Sequence, residues 1–482
     1  MLLRHLYNRQ LAQASYLVGC AATGEALVVD PNRDIDQYLA LASREGLRIV
    51  AVTETHIHAD YVSGARELAA RTGARLYLSA EGPADWQYAY AAEAGATLVR
   101  DGDRFMVGNI RIDIWHTPGH TPEHLSFLVT DTAGADAPMG IFTGDFVFVG
   151  DVGRPDLLER AAGYADTMEA GARDLFWSLQ RFRELPEWVQ VWPGHGAGSA
   201  CGKALGAVPQ STVGYETRFN WAFGIADETS FIAAVLDGQP EPPAYFAQMK
   251  QINKVGPESV SALALPTAWL PERLHAALAT GTPIIDTRPA EAFAARALPR
   301  TLSIPAGSAF LTWAGWLVPY DRPFALIAET DEVAEIVGQL RLIGLDNVAG
   351  YWTPAALDAW AAEGEELIAT ERIDAARLRD LQARESIAVI DVRGASEYAA
   401  GHLPGSRNIP LGHLAGRLDE VPVFGPVVVH CQSGTRSAIA ASVLAAHGRR
   451  NVRDLVGGFD AWRVAGLPVE RAAHEAALAA AH

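Results

Sequence analysis

Along the first half of the chain, short apolar β-rich runs alternate with stretches of helical period. "EALVVDP", "LRIVAVTET", "ARLYLS", "IRIDIWHTPGH", "LSFLVTD", "GIFTGDFVFVG" and "VQVWPGHG" read as strands, most ending in Gly, Asp, His or Pro. Between them "DIDQYLALASREG" and "VSGARELAARTG" read as helices that stop at glycine, the first capped by aspartate. This alternation predicts a layered α/β fold with polar residues just beyond the strand ends, where loops share a cleft. From about Ser230 to Glu258 the pattern turns helical with a Pro-rich break, which reads as closing helices and a linker.

Beyond that point the chain repeats itself. "PIIDTRPAEAFAARALPRTLSIP" (Pro283 to Pro305) aligns without a gap on "AVIDVRGASEYAAGHLPGSRNIP" (Ala388 to Pro410). "GLDNVAGYWTPAALDAW" later echoes "GRRNVRDLVGGFDAW". The expected division is therefore residues 1–258, then two copies of a small α/β domain at 259–370 and 371–482.

Composition narrows the partners. At 482 residues the chain is long for a single core, and 49% apolar with 20% charged is ordinary globular usage. A net charge of −18 gives no support to a nucleic-acid partner or an anionic membrane surface. No run reaches the roughly 20 apolar residues of a membrane helix, and the start reads as no signal peptide. Three cysteines, Cys20, Cys201 and Cys431, make a poor disulfide framework and fit reduced thiols in the cytoplasm. Cys20, after apolar "SYLVG", reads as buried.

In the second copy, "VVVHCQSGTRSAIAASVLAAHG" reads as buried strand, tight loop and helix. Cys431 ends the strand; Gln432, Ser433, Gly434, Thr435 and Arg436 form the loop; Ser437 opens the helix. Such a loop aims backbone N–H groups at the sulfur, and with Arg436 it favours a thiolate or persulfide. Cys431 is thus the expected nucleophile. "DVRGASEYAAGHLPGSRNIP", "CQSGTRS" and "GGFDAW" resemble a rhodanese (sulfurtransferase) domain, which implies that Cys431 carries a sulfane sulfur. Cysteine phosphatases use a similar ring, one residue longer than the four that separate Cys431 from Arg436, so sulfur is favoured over phosphate. The first copy has alanine near Ala328 at the cysteine position and acidic Glu329, Asp331 and Glu332 in place of a loop arginine. It reads as an inactive rhodanese-like domain.

In the first domain the strand-end polar residues are His56, His58, Asp60, His116, His120, His124, Asp145 and His195, in "THIHAD", "TPGHTPEH", "TGDFVF" and "WPGHG". Four such motifs with imidazole and carboxylate point to a borderline divalent metal. They resemble the metallo-β-lactamase superfamily, which implies an αββα sandwich. "TGDFVFVGDVGRPDLL" and "PGHGAGSACGK" resemble its persulfide dioxygenase branch. That resemblance implies one Fe(II) per chain, held by His56, His120 and Asp145, with His58, Asp60 and His195 supporting the ligands or water. His116 and His124 lie off the motif positions and read as structural; lining the cleft is a second part open to His124. Members that bind two zinc ions use the residue after the aspartate as a ligand. Here it is Tyr61, a poor zinc ligand. Cys201 either contacts substrate sulfur or fills space, and Arg154 is either a cleft residue for an anionic substrate or a structural ion pair.

The combined resemblance implies a persulfide dioxygenase and thiosulfate sulfurtransferase in one chain: αββα sandwich first, two α/β rhodanese domains after. Its small-molecule partners would be O2, sulfite or thiosulfate, and a thiol persulfide of glutathione or coenzyme A type, and it implies a homo-oligomer. The competing reading is a dizinc glyoxalase II-like thioesterase fused to a sulfurtransferase. A third is a sulfur-responsive docking protein built on the inactive copy.

Overall fold

The computed structural model describes residues 1–162, 167–203 and 205–471. The chain divides into two compact units, Met1–Ala264 with Gly338–Gly344, and Leu265–Val337 with Leu345 onward. Among the described residues no helix is long and apolar enough to cross a membrane.

In the first unit, strands β1 (Leu2–Asn8), β2 (Gln13–Cys20), β3 (Glu25–Val29), β4 (Arg48–Thr53), β5 (Arg75–Ser79) and β6 (Thr97–Val99) form one sheet in that order. Strands β7 (Arg104–Val107), β8 (Ile110–His116), β9 (Leu125–Asp131), β10 (Gly140–Gly144), β11 (Gln190–Pro193) and β12 (Ser211–Thr212) form a second. Alternate residues of both sheets, among them Val18, Leu27, Val29, Ile112, Ile114, Phe127, Phe142 and Trp192, meet in a shared apolar interior. Helices Asp36–Arg44 and Ala65–Thr72 cover the outer face of the first sheet, and Met168–Phe182 covers the second. This is an αββα sandwich.

The long expected strands are all present, and the apolar "SYLVG" run lies in β2; β1, β6, β7 and β12 are additions. β6 and β7 have three and four residues, too few for a period to show. β1 is a half-exposed edge strand paired antiparallel to β2. Two expectations change locally. Helix Asp36–Arg44 starts after Ile35 without a side-chain cap. The run "GIFTGDFVFVG" is a strand only to Gly144, whose φ of +47° turns the chain out of the sheet.

The second unit holds two parallel sheets. β13 (Ile284–Asp286), β14 (Thr301–Ser303), β15 (Phe324–Ile327) and β16 (Val348–Trp352) are ordered β14–β13–β15–β16. β17 (Glu371–Ile373), β18 (Ala388–Asp391), β19 (Arg407–Asn408), β20 (Val427–His430) and β21 (Val452–Leu455) are ordered β17–β21–β20–β18–β19. The repeats are thus two α/β sheets of matching design. They share one compact unit because β14 packs on the helix that follows Cys431: the Ser303 amide donates to Ser442 Oγ at 2.9 Å.

Candidate active sites

The strand ends of the sandwich bring His56, His120 and Asp145 together, with one ligand atom of each within 4.8 Å of the others. All three are buried. His56 follows β4, His120 lies between β8 and β9, and Asp145 follows β10, so the triad exists only once both sheets have stacked.

Hydrogen bonds set which ring nitrogen of each histidine is bare. The Thr55 hydroxyl donates to Asp30 Oδ2 (2.9 Å) and so accepts from His56 Nδ1 (3.0 Å), which leaves His56 Nε2 without a proton. His120 Nδ1 donates to the Arg154 carbonyl (3.0 Å), leaving its Nε2 3.5 Å from Asp145 Oδ2. His195 Nδ1 donates to the Ala12 carbonyl (2.9 Å), and its Nε2 stands 3.2 Å from Asp60 Oδ2 and 3.4 Å from Asp145 Oδ1. His58 Nε2 lies 3.1 Å from Asp30 Oδ1, and its buried Nδ1 has no partner. Both Asp145 oxygens and Asp60 Oδ2 are likewise buried without a hydrogen-bond partner. Unpaired buried carboxylate oxygens facing bare imidazole nitrogens are costly unless a cation joins them. The donor set fits a divalent metal.

The electrostatics agree. Burial, reinforced by the surrounding imidazoles, holds His56 well below its usual pKa, and burial also lowers His120. Both therefore present neutral lone pairs. For His58 burial acts downward, but the Asp30, Glu54 and Asp60 carboxylates outweigh it and carry the pKa to about 9. Burial, with Asp30 nearby, pushes Tyr61 well above the usual phenol range. The Tyr61 hydroxyl is turned to the Asp30 carbonyl (3.3 Å), so its phenol offers no ligand atom.

Several parts of this site escaped the sequence reading. Asp30 accepts from the Thr55 amide (2.6 Å) as well as Thr55 Oγ1, and so braces the His56–His58 segment. Asn253 Nδ2 donates to the carbonyls of His58 (2.8 Å) and Tyr61 (2.7 Å), pinning the same turn. The "VVDP" strand end was a visible signal for Asp30; Asn253, on a distant helix, had none. His124 does more than line a wall: the Asp145 amide donates to its Nε2 (3.2 Å), and its Nδ1 pairs with Thr117 Oγ1 (2.9 Å). His116 stays apart, bonded to the Pro122 carbonyl. Gly153 is required because a Cβ there would sit 1.7 Å from the Asp145 carbonyl oxygen.

Arg154 is corrected. Its guanidinium is fully buried, doubly bonded to Asp156 (2.8 Å each), and donates to the carbonyls of Ala200 (3.1 Å) and Pro240 (2.6 Å). It is the structural ion pair, not a contact for an anionic substrate. Cys201, by contrast, is brought to the cleft: its thiol groups with Asp60 and His195 within 4.8 Å.

In the second unit Cys431 is buried at the end of β20, and the Gly434 amide donates to its Sγ at 3.1 Å. The helix begins at Thr435, two residues before the expected Ser437, so its N-terminus lies closer to the sulfur. Arg436 lies beside Cys431 and is doubly bonded to Glu397 (2.6 and 2.7 Å). Gln432 is turned aside, accepting from Arg393 (3.0 Å) and donating to Asp460 (2.6 Å). Ser437 Oγ donates to Asp454 (2.6 Å) and holds the first helical turn. Ser433, Gly434 and Thr435 line a cavity of about 870 Å³ whose other wall includes Arg288, Glu329 and Glu332 of the first repeat. In that repeat Ala328 follows β15 with no thiol.

A sandwich with bare imidazole and carboxylate groups at its strand ends defines a metal-binding α/β fold. Residues 8–195 match the metallo-beta-lactamase superfamily model, and residues 374–465 match the rhodanese-like domain model. A crystal structure titled metallo-beta-lactamase, from Staphylococcus aureus subsp. aureus COL, is 42% identical, covering 73% of this chain and 99% of its own, with a TM-score of 0.66. The chain belongs to the metallo-beta-lactamase superfamily and carries a rhodanese-like domain after the sandwich. Persulfide dioxygenase ETHE1, mitochondrial, of Bos taurus is 27% identical over 199 residues, 40% of this chain and 68% of that protein. A hydroxyacylglutathione hydrolase of Rhodospirillum rubrum is 31% identical over 180 residues, 37% of this chain and 60% of that protein. The chain spans 54 to 59% of the length of the beta-lactamase hydrolase-like proteins it matches.

Proposed function

We propose that the sandwich oxidises a low-molecular-weight thiol persulfide with O2 and that Cys431 transfers sulfane sulfur to or from the product. The overall steps are RSSH + O2 + H2O giving RSH + sulfite with two protons, and sulfite plus a sulfane sulfur giving thiosulfate. The observation that carries this reading is a two-histidine, one-carboxylate triad in the same chain as an intact Cys431 loop. One site makes what the other consumes.

His56, His120 and Asp145 would hold an Fe(II) ion, which would supply the redox chemistry that joins O2 to a persulfide sulfur. The chain's own residues do the rest. Thr55 and the Arg154 carbonyl hold the two imidazoles with Nε2 forward, and His124 holds the backbone that presents Asp145. In the second site the Gly434 amide and the start of helix Thr435–Ala446 stabilise negative charge on Cys431 sulfur. Glutathione or coenzyme A is the proposed thiol carrier.

The test is oxygen uptake by iron-loaded protein given glutathione persulfide. Uptake is expected, lost in His120→Ala and kept in Cys431→Ser with altered thiosulfate yield. Thioester cleavage by the zinc-loaded protein without oxygen uptake by the iron form would overturn the proposal in favour of a hydrolase, the activity printed for the Rhodospirillum relative.

A further inference from the structure

We infer that residues 338–344, which lie within the sequence of the first repeat, are a built part of the metal-binding unit and hold the turn that follows His56. The repeat without a nucleophile thereby has a task, which is to support the metal centre. This goes beyond the persulfide reading and holds for any divalent ion at the triad.

Gly338–Gly344 belongs to the same compact unit as Met1–Ala264. It includes the end of helix Val333–Leu342, whose last carbonyls have no partner within the helix. They find donors in the sandwich. The Val62 amide donates to the Leu342 carbonyl (2.7 Å), and Arg33 Nη1 donates to the Arg341 carbonyl (3.1 Å). Arg341 Nη2 in turn donates to the carbonyls of Leu263 (3.1 Å) and Ala264 (2.9 Å). Apolar packing closes the contact. A Cβ at Gly344 would lie 2.7 Å from Ile252 Cδ1 and 3.0 Å from Met249 Cε, on the helix that carries Asn253.

Val62 is fully buried and stands two residues past Asp60, in the turn that runs from His56 to Gly64. Its neighbours are held by residues before 264. Asn253 Oδ1 accepts from the Ser63 amide (2.9 Å), Asn253 Nδ2 donates to the His58 and Tyr61 carbonyls, and the Pro31 carbonyl accepts from the Gly64 amide (2.8 Å). Among these groups the Val62 amide is the one whose partner comes from the repeat. A buried amide left without an acceptor is costly, so losing the Leu342 carbonyl would open the turn. The second repeat shows the same helix end without this task. Its residues 445–452, "AAHGRRNV", correspond to "RLIGLDNV" at 341–348, so Ala446, His447 and Arg449 stand where the first repeat has Leu342, Ile343 and Leu345. Those three apolar residues are buried, whereas His447 and Gly448 are exposed and a Cβ at Gly448 would meet nothing within 4 Å.

The test is the matched pair Gly344→Val and Gly448→Val in the full chain. Both glycines have positive φ, +72° and +81°, so valine strains both backbones, but only Gly344 is packed against side chains. In metal-free protein, hydrogen exchange of the Val62 amide, followed by mass spectrometry, should be at least about tenfold faster in Gly344→Val. Affinity for Co(II), measured by competition with a chromophoric chelator, should fall about tenfold in the same variant. Gly448→Val should match the parent chain in both. Arg341→Ala, which removes the bonds to Leu263 and Ala264, should move both readouts in the same direction by a smaller factor. It decides the question if circular dichroism shows Gly344→Val unfolded. Parent-like exchange and Co(II) affinity in the folded variants, or equal changes in Gly448→Val, overturn the inference. Neither readout uses oxygen uptake, so failure here and failure of the persulfide reading remain distinguishable.

Discussion

Ala328 directly follows strand β15 and Cys431 directly follows strand β20, and around these two residues the repeats are framed alike. In the first repeat Arg288 grips Asp286 with bonds of 2.6 to 3.1 Å, and in the second Arg393 grips Asp391 with bonds of 2.7 to 3.0 Å. In both pairs the aspartate ends the strand next to the loop strand and the arginine lies two residues on, at the "DTR" and "DVR" of the repeated sequence. What differs is the loop. The second carries the thiol, a glycine at φ +107° whose amide meets the sulfur, and Arg436 against Glu397. The first carries an alanine and carboxylates that line the shared cavity. The buried ion pair is common to both repeats, whereas the thiol loop is found in the second alone. The pair and the thiol loop are therefore separable features of one chain.

The sharpest way to break the comparison is to exchange the two residues. Cys431→Ser should lower thiosulfate-to-cyanide sulfur transfer by at least about 10³-fold, because Cys431 is the only cysteine in residues 259–482. Ala328→Cys should gain no measurable transfer, since its loop lacks the arginine and the glycine amide. Transfer by Ala328→Cys, Cys431→Ser would end the argument that the loop, not the cysteine alone, makes the site.

The next effect is on stability. Arg393→Ala leaves Asp391 buried beside His430 without its partner and should cost about 3 kcal/mol in urea denaturation. Arg288→Ala should cost less, because Arg288 is 16% exposed against 2% for Arg393. Equal losses would contradict a burial-driven cost.

Gly458 tests the loop's backing. Its φ is +55°, and a Cβ there would lie 2.4 Å from the Cys431 carbonyl oxygen. Gly458→Ala should cost roughly 1–3 kcal/mol and slow sulfur transfer, checked by melting temperature and steady-state kinetics. The matching helix of the first repeat starts with Ala355 and Ala356 where the second has Gly457 and Gly458, and it holds no sulfur loop to crowd.

The smallest expected effect is with acid. Burial acts to raise the Glu397 pKa, but the hydrogen bonds and charge of Arg436 outweigh it and hold it below the usual carboxylate range. The group therefore adds stability above its unfolded pKa, and this is lost as pH falls through the lower folded value. Glu397→Gln should flatten that part of the stability–pH curve measured by thermal melts, by a modest amount because the pair is partly solvated. The first repeat has no such arginine in its loop and should contribute no matching slope.

Much of this was legible along the chain. Strand ends declared themselves through apolar runs stopped by Gly, Asp, His or Pro, and the ligand-type residues follow directly, so eight candidates could be named, of which the family resemblance singled out His56, His120 and Asp145. Cys431 was legible because its loop and helix are contiguous. Arg154 and Cys201 were not, since each had two readings that local pattern could not separate. Asn253 and the tautomers of His56, His120 and His195 depend on partners tens to hundreds of residues away.

The sequence by itself determined a layered α/β pattern, the repeat, the alanine at 328 where the second copy has Cys431, and the residue types offered to a metal. These rest on period, turn chemistry and side-chain identity, which are local. Only the tertiary structure decided that Arg154 is a buried strut and that Cys201 stands with Asp60 and His195. A loop's path follows the buried groups that hold its backbone, and here those are Arg154, Asp156 and Asp151, set by packing and not by anything within "GAGSACGK".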